Sequence, residues 1–195
     1  MRFIIYFAFI FLVNFSLFGQ TDIKVEKEES ISQQEFPLEA FRKIEPMVSQ
    51  SKKLRYYREI SEEGINYEVK LKFEGTYYSI EFDSLNKLKD IEQLQKWDDY
   101  DGKSRSRMEV QLDSLFSDYK VMRFQLQVIP NEKLNVIESL PLQEEMIWGR
   151  NYEVEIEAIL KDEQSPRYYE LLFDAHGKLL QQRLNAKTSN DNLIY

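Results

Sequence analysis

The side chains that most often carry catalysis are scarce in this sequence. The chain has no cysteine and one histidine, His176. Thiolate metal sites and disulfide bonds are therefore excluded, and the usual nucleophile–histidine pairs have no support. His176 stands in the segment Asp-Ala-His-Gly-Lys, whose composition is typical of an exposed turn. We therefore predict no catalytic residue.

Carboxylates are the one plentiful chemical group, with 34 Asp and Glu against 26 Lys and Arg. The densest cluster is Asp98, Asp99 and Asp101, and its Asp-Tyr-Asp-Gly resembles part of a calcium loop. The spacing does not fit, because the first ligand position would be Trp97 and the closing glutamate would be Met108. We predict a solvated acidic segment here and no metal site.

Cofactors and nucleic acid are also not indicated. The six glycines are not clustered, so no phosphate-binding loop is present and we predict no cofactor. The formal net charge is −8, and short basic runs at 52–58 and 105–107 do not offset it. Such a balance disfavours nucleic acid and anionic lipid as partners.

The elements that position these residues show an internal repeat. Asn-Tyr-Glu-Val occurs at 66–69 and again at 151–154. A segment that begins Tyr-Tyr and ends Phe-Asp follows each, at 77–83 and 168–174, and Lys-Leu comes next at the same interval. Ten identities in one order predict two copies of one unit.

Each copy combines a helix with strands. Apolar residues alternate with polar ones around Tyr67, Val69 and Leu71, which indicates antiparallel strands with one apolar face. Upstream, helical spacing is expected for two sets of residues: Phe41, Ile44 and Val48, and then Met108, Leu112, Leu115, Phe116 and Tyr119. The predicted fold is α+β, with two tandem units, each a helix packed on an antiparallel sheet of about four strands.

The turn after each Phe-Asp pair is also predicted. Asn86 and Gly177 occupy equivalent places, and these two residue types tolerate positive φ best. Asp83 and Asp174 at the strand ends are expected to hydrogen-bond their own turns and to have no catalytic role.

The N-terminus has the layout of a secretory signal peptide. Arg2 precedes an apolar run from Phe3 to Val13, and Gly19 precedes a polar start. An uncleaved anchor is the alternative, but the run is short for a membrane span. Without a cysteine there is no lipid attachment, so we expect a periplasmic or secreted protein without a membrane span after cleavage. The predicted divisions are a signal peptide 1–19, a flexible lead 20–36, unit one 37–96, a linker 97–104, unit two 105–184 with an insertion at 131–146, and a tail 185–195.

These motifs resemble the PepSY-like family. Tyr67-Glu68-Val69 with Phe82-Asp83, and Tyr152-Glu153-Val154 with the segment 173–178, carry the resemblance. Tandem PepSY-like units after a signal peptide are similar to exported bacterial proteins grouped with β-lactamase-inhibitory-protein-like (BLIP-like) folds. The resemblance implies a non-catalytic binding or inhibitory module.

The polar sheet faces are the candidate partner surface. Seven residues are predicted to lie there: Lys70, Tyr77, Glu81, Arg123, Tyr168, Glu170 and Leu172. Aromatic and charged side chains on an open sheet favour a protein partner in the cell envelope. Two alternatives stay open: a carboxylate-based hydrolase, and a structural envelope component that makes its contacts through 131–146.

Overall fold

A computed structural model of the chain describes residues 22–24, 27–100, 102–130 and 150–185. These residues form ten strands and two α-helices, with a short 3-10 turn at Gln33–Glu35. In chain order the elements are β1 (Asp22–Lys24), β2 (Lys27–Ile31), α1 (Leu38–Val48), β3 (Lys52–Ser61), β4 (Gly64–Phe73), β5 (Thr76–Asp83), β6 (Leu88–Gln95), α2 (Lys103–Leu115), β7 (Phe116–Val128), β8 (Arg150–Leu160), β9 (Arg167–Asp174) and β10 (Leu179–Asn185).

All ten strands belong to one sheet, in the order β1-β10-β9-β8-β7-β6-β5-β4-β3-β2. Every neighbouring pair among β2 to β10 is antiparallel, and β1 runs parallel to β10. The prediction of two tandem helix-on-sheet units is therefore wrong. Residues Ile91–Gln95 of β6 pair with Phe124–Val128 of β7, which removes the exposed edges that two separate sheets would leave.

One face of the sheet is apolar and carries both helices. Val69, Ile80, Val154 and Leu171 are fully buried on this face, and the helices contribute Ala40, Ile44, Met47, Met108 and Leu112 to the same hydrophobic cluster. Each large apolar side chain buried in this way contributes about 1.5–3 kcal/mol, so the shared cluster is the main stabilising force. The other face of the sheet is polar.

The turns after the two Phe-Asp pairs follow the prediction, and the turn between β4 and β5 shares their positive φ. Glu74 and Gly75, between β4 and β5, both have positive φ, as a two-residue hairpin requires. Asn86 and Gly177 also have positive φ, at 63° and 77°. In both of these turns the aspartate accepts two backbone N–H bonds, as in Asp83 Oδ1 with Leu85 N (2.9 Å) and Lys87 N (2.8 Å), and as in Asp174 with His176 N and Lys178 N. The predicted structural role of the two aspartates is confirmed.

Several predicted boundaries differ from the structure. Helix α2 ends at Leu115, so Phe116 and Tyr119, expected on the helix, belong to β7. Residues 22–24 and 27–31, expected in a flexible lead, form β1 and β2. The polar sequence of β2 hid this strand, because its edge position is held by backbone pairing and ion pairs instead of burial.

The predicted linker 97–104 also contains ordered structure. Trp97 packs edge-to-face on Phe124, with ring centroids 5.1 Å apart, and α2 begins at Lys103. The predicted signal peptide 1–19, the insertion 131–146 and most of the tail 185–195 lie outside the described residues. Within the described ranges, neither helix is long and apolar enough to cross a membrane.

The sheet is strongly curved, and the start of the chain joins its two edges. β1 and β2 stand at opposite ends of the strand order, yet only residues 25 and 26 separate them. The three peptide links from Lys24 to Lys27 span at most about 11 Å. Ten strands in a flat sheet would place the two edges about 43 Å apart. The sheet therefore curls until its edges approach each other.

Candidate functional site

The polar face encloses a depression of about 290 Å³ that we call the acidic trough. Its lining comes from nine strands, β2 to β10, so the polar face is the concave one. Only two lining residues, Ile129 and Leu172, are apolar. The charged lining consists of ten acids, Glu28, Glu59, Glu63, Glu68, Glu81, Asp90, Glu92, Glu153, Glu155 and Glu170, and four bases, Lys70, Lys89, Arg123 and Arg183.

Lys70 lies at the end of the trough formed by β2, β3 and β4. Its Nζ is 2.8 Å from Glu28 Oε1 and 3.0 Å from Glu68 Oε2, and it lies 4.8 Å from the ring centroid of Tyr57. Burial alone would lower the pKa of Lys70, but the charges of Glu68 and Glu28 outweigh burial, and the pKa is raised. Lys70 therefore stays protonated and serves as a built-in cation.

The same end contains a set of oxygens with the spacing of a metal site. Carboxylate oxygens of Glu28, Glu59 and Glu68 lie within 4.8 Å of one another, and the hydroxyl of Ser79 donates to Glu68. Because the Lys70 ammonium bonds two of these three carboxylates, a metal ion would compete with it. The Lys70 ammonium thus occupies the position of the cation among these carboxylates.

Asp90 and Glu92 of β6 occupy the middle of the trough. Burial raises the pKa of Asp90 well above its usual range, and the nearby charges of Glu92 and Glu81 raise it further. Gln127 donates to Asp90 Oδ2 at 3.0 Å, and Gln125, which is 1% exposed, donates to Glu92 Oε2 at 2.7 Å. Two uncharged glutamine amides therefore stabilise these carboxylates by hydrogen bonds.

The other bases are also paired with acids. Arg123 Nη1 lies 3.3 Å from Glu155 Oε1, and Lys89 Nζ lies 2.9 Å from Glu81 Oε1. On the β10 side of the trough, Arg183 Nη1 lies 4.0 Å from Glu170 Oε1. The basic side chains of the trough are therefore engaged, and the excess of charge is negative.

Five of the seven predicted partner-face residues come together in the trough: Lys70, Glu81, Arg123, Glu170 and Leu172. Tyr77 and Tyr168 lie elsewhere on the same face. The Tyr77 hydroxyl accepts a hydrogen bond from Lys53 Nζ at 2.7 Å, and the Tyr168 hydroxyl donates to Glu157 at 3.4 Å.

The trough acids that sequence reasoning missed include Glu28, Glu59, Glu63, Asp90 and Glu92. The alternation of Asp90 and Glu92 with the apolar Ile91 was a usable signal for β6, which runs from Leu88 to Gln95. Glu28 gave no signal, because β2 has no apolar alternation.

The residues first considered for chemistry lie outside this trough. His176 is exposed in the turn after β9, as predicted. Asp98 and Asp99 are exposed, and Asp99 pairs with Lys96 at 3.2 Å. Asp101 is outside the described residues.

Comparison with known proteins shows the fold. No protein-family model and no curated protein matches the chain. A protein from Bacteroides eggerthii, described as periplasmic by inference, has a TM-score of 0.52 at 13% identity over 80% of this chain and 93% of its own. A DUF2874 family protein from Bacteroides ovatus has a TM-score of 0.50 at 11% identity, over 76% and 87%. The chain shares their fold.

A BLIP-like protein from Bacteroides fragilis is also similar, with a TM-score of 0.49 at 13% identity over 80% of this chain and 90% of its own.

Proposed function

We propose that this protein is an exported, non-catalytic binding module of the bacterial cell envelope, and that its acidic trough receives part of a protein partner. The observation that carries the proposal is the concave face itself. Nine strands converge on one depression whose floor is polar and whose charged groups are held by ion pairs and amides. A pre-formed concave surface of this kind costs little to organise on binding.

The cellular location is part of the same proposal. The sequence of residues 1–19 is typical of a signal peptide, and the neighbour from Bacteroides eggerthii is described as periplasmic by inference. Expression of the full chain in a Gram-negative host, followed by fractionation, tests it. A mature protein in the periplasm or medium with its N-terminus near Gln20 supports export, and full-length protein in the cytoplasm contradicts it.

The PepSY-like resemblance and the internal repeat also belong to the proposal. Asn66 pairs with Asp83 across β4 and β5, and Asn151 pairs with Asp174 across β8 and β9. Equivalent sequence motifs therefore occupy equivalent registers, which supports descent of the two halves of the single sheet from one ancestral segment.

The binding role is tested with matched variants. Glu59→Gln and Glu153→Gln together remove two charges from opposite sides of the trough without changing its shape. The control, Glu45→Gln with Asp162→Asn, removes two exposed charges away from the trough. Quantitative capture from envelope extract should identify a protein whose recovery falls with the trough variant and is unchanged with the control. Equal recovery with both would contradict the assignment of the trough.

Tyr77 and Tyr168 receive a separate test, because they lie outside the trough. The double substitution Tyr77→Glu and Tyr168→Glu should reduce capture if the partner extends along the whole polar face. If capture falls only with the trough variant, the contact surface is confined to the trough.

A second candidate function, a carboxylate-based hydrolase, is favoured by one observation. Burial and the neighbouring acids Glu92 and Glu81 raise the pKa of Asp90, and carboxyl groups with a shifted pKa occur preferentially at functional sites. Turnover of a glycoside or peptide library that is abolished by Asp90→Asn would establish this function and overturn the non-catalytic one.

A further inference from the structure

We infer that the acidic trough recognises an extended, lysine- or arginine-bearing segment of its partner protein. The inference rests on the proposed binding function and adds the chemistry of the partner. It follows from the charge of the trough, from a lysine that the chain itself places there, and from the size and polarity of the depression.

The charge balance of the trough is the first argument. Ten carboxylates and four basic groups share its lining, so the acids exceed the bases by six. Charges a few ångströms apart interact strongly at a partly buried surface, and water screens them less there than on an open surface. A partner that brings positive charge lowers this repulsion, whereas an acidic partner increases it.

Lys70 shows the binding chemistry within the molecule. Its ammonium lies between Glu28 and Glu68 and over the Tyr57 ring. Carboxylates and an aromatic face are the groups that bind ammonium and guanidinium ions in proteins. The lining therefore already accommodates one lysine. The Glu59 carboxylate lies within 4.8 Å of those of Glu28 and Glu68 at this end, and Glu153 of β8 adds another carboxylate to the lining.

The size of the trough selects a segment over a folded surface. A volume of about 290 Å³ is at the lower end of the range for small ligand sites, so it admits a few side chains. With Ile129 and Leu172 as the only apolar lining residues, there is little apolar area to bury. Affinity must come from charge and hydrogen bonds, which favours long cationic side chains.

Binding of defined peptides to the mature protein, with its N-terminus near Gln20, tests the inference. Three blocked peptides of about ten residues, with alternating serine and either lysine, glutamine or glutamate, are titrated by calorimetry. The lysine peptide should bind at least about tenfold more tightly than the other two, a difference of about 1.4 kcal/mol. Its affinity should fall as salt is raised above about 0.1 M, where the Debye length is about 10 Å.

The matched variants locate the binding. Glu59→Gln with Glu153→Gln should weaken the lysine peptide by about tenfold, and Glu45→Gln with Asp162→Asn should leave it unchanged. Circular dichroism checks that both variants are folded. Equal binding of the three peptides would overturn the inference, as would a lysine affinity that falls equally in both variants. Tight calcium binding that requires Glu59, with no binding of the lysine peptide, would also overturn it.

The inference and the proposed function can fail separately. If an envelope protein depends on the trough but the lysine peptide does not bind, the binding function stands and the charge assignment is wrong. If the lysine peptide binds in the trough but no envelope protein depends on it, the charge assignment stands and the function in the envelope is wrong.

Discussion

Substitution of Gly177 by alanine is expected to destabilise the protein far more than substitution of its counterpart Asn86. Both residues have positive φ, in the turns that follow β9 and β5. At Gly177, however, a Cβ atom would lie 2.3 Å from the backbone oxygen of Ser104, in the first turn of α2. The backbone cannot give way as a flexible side chain could, so α2 must move.

The magnitude follows from two contributions. Alanine in the left-handed region costs about 1–2 kcal/mol in either turn. Displacement of α2 also weakens the bond from Ser104 Oγ to Ala175 O and the bond from Leu179 N to Gln111 Oε1, both 2.9 Å. Each bond contributes about 1 kcal/mol. We therefore expect a loss of about 3–4 kcal/mol for Gly177→Ala and about 1–2 kcal/mol for Asn86→Ala.

Urea unfolding, followed by the fluorescence of Trp97 and Trp148, measures both free energies. Trp97 contacts Phe124 in the core, so its emission reports on the packing near α2. The expected difference between the two variants is about 2 kcal/mol. Losses that agree within about 0.5 kcal/mol would refute the reasoning, because they would show that α2 does not rest on this turn.

Three further predictions concern the trough and its turns. Lys70→Met leaves the carboxylates of Glu28 and Glu68 without their ammonium and should cost about 3–5 kcal/mol in urea unfolding; a loss below about 1 kcal/mol would contradict the pairing. Asp90→Asn should raise the melting temperature at pH 7, because the pKa of Asp90 is raised in the folded protein. The contribution of Asp90 to stability is therefore complete below the unfolded-state pKa of about 4 and is lost as the pH rises through the folded-state pKa. The melting temperatures of the two proteins should converge at low pH, and a difference that does not change with pH would contradict the raised pKa. Asp83→Ala removes the acceptor of two backbone bonds and should cost about 1–2 kcal/mol in urea unfolding, whereas an unchanged midpoint would show that the turn holds without them.

Local features of the fold were predictable from the sequence. Alternation of Tyr67, Val69 and Leu71 with charged residues indicated β4, and the structure buries Val69 and Leu71 on the apolar face. The left-handed positions at Asn86 and Gly177 followed from residue type alone. These features depend on neighbouring residues, so a short stretch of sequence is enough to specify them.

The global arrangement was not predictable in the same way. Whether β6 pairs with β7 depends on which sheet edges meet in the folded chain. The alternation of apolar and polar residues in a strand is the same at a sheet edge and in the sheet interior, so it does not reveal this pairing. Spacing also failed at the junction of α2 and β7, because Phe116 and Tyr119 continue a helical stripe in sequence although the helix ends at Leu115.

For the same reason, the sequence predicted which residues lie on the polar face but not that they converge in a trough. Residues such as Lys70, Glu81 and Glu170 were assigned to the polar face by alternation, and they line the trough. Their convergence with Glu28 depends on curvature, which arises from pairings between distant parts of the chain. A linear pattern assigns a residue to a face but does not show that the face is concave.

The pairing of β1 with β10 has a consequence for how the protein folds. Asp22 is the partner of Arg183, so nearly the whole described chain lies between two residues that must meet. Contacts of such large sequence separation carry a high loop-closure cost and slow folding. The sheet cannot be completed until β10 has left the ribosome, so β2 to β9 must wait for their last partner.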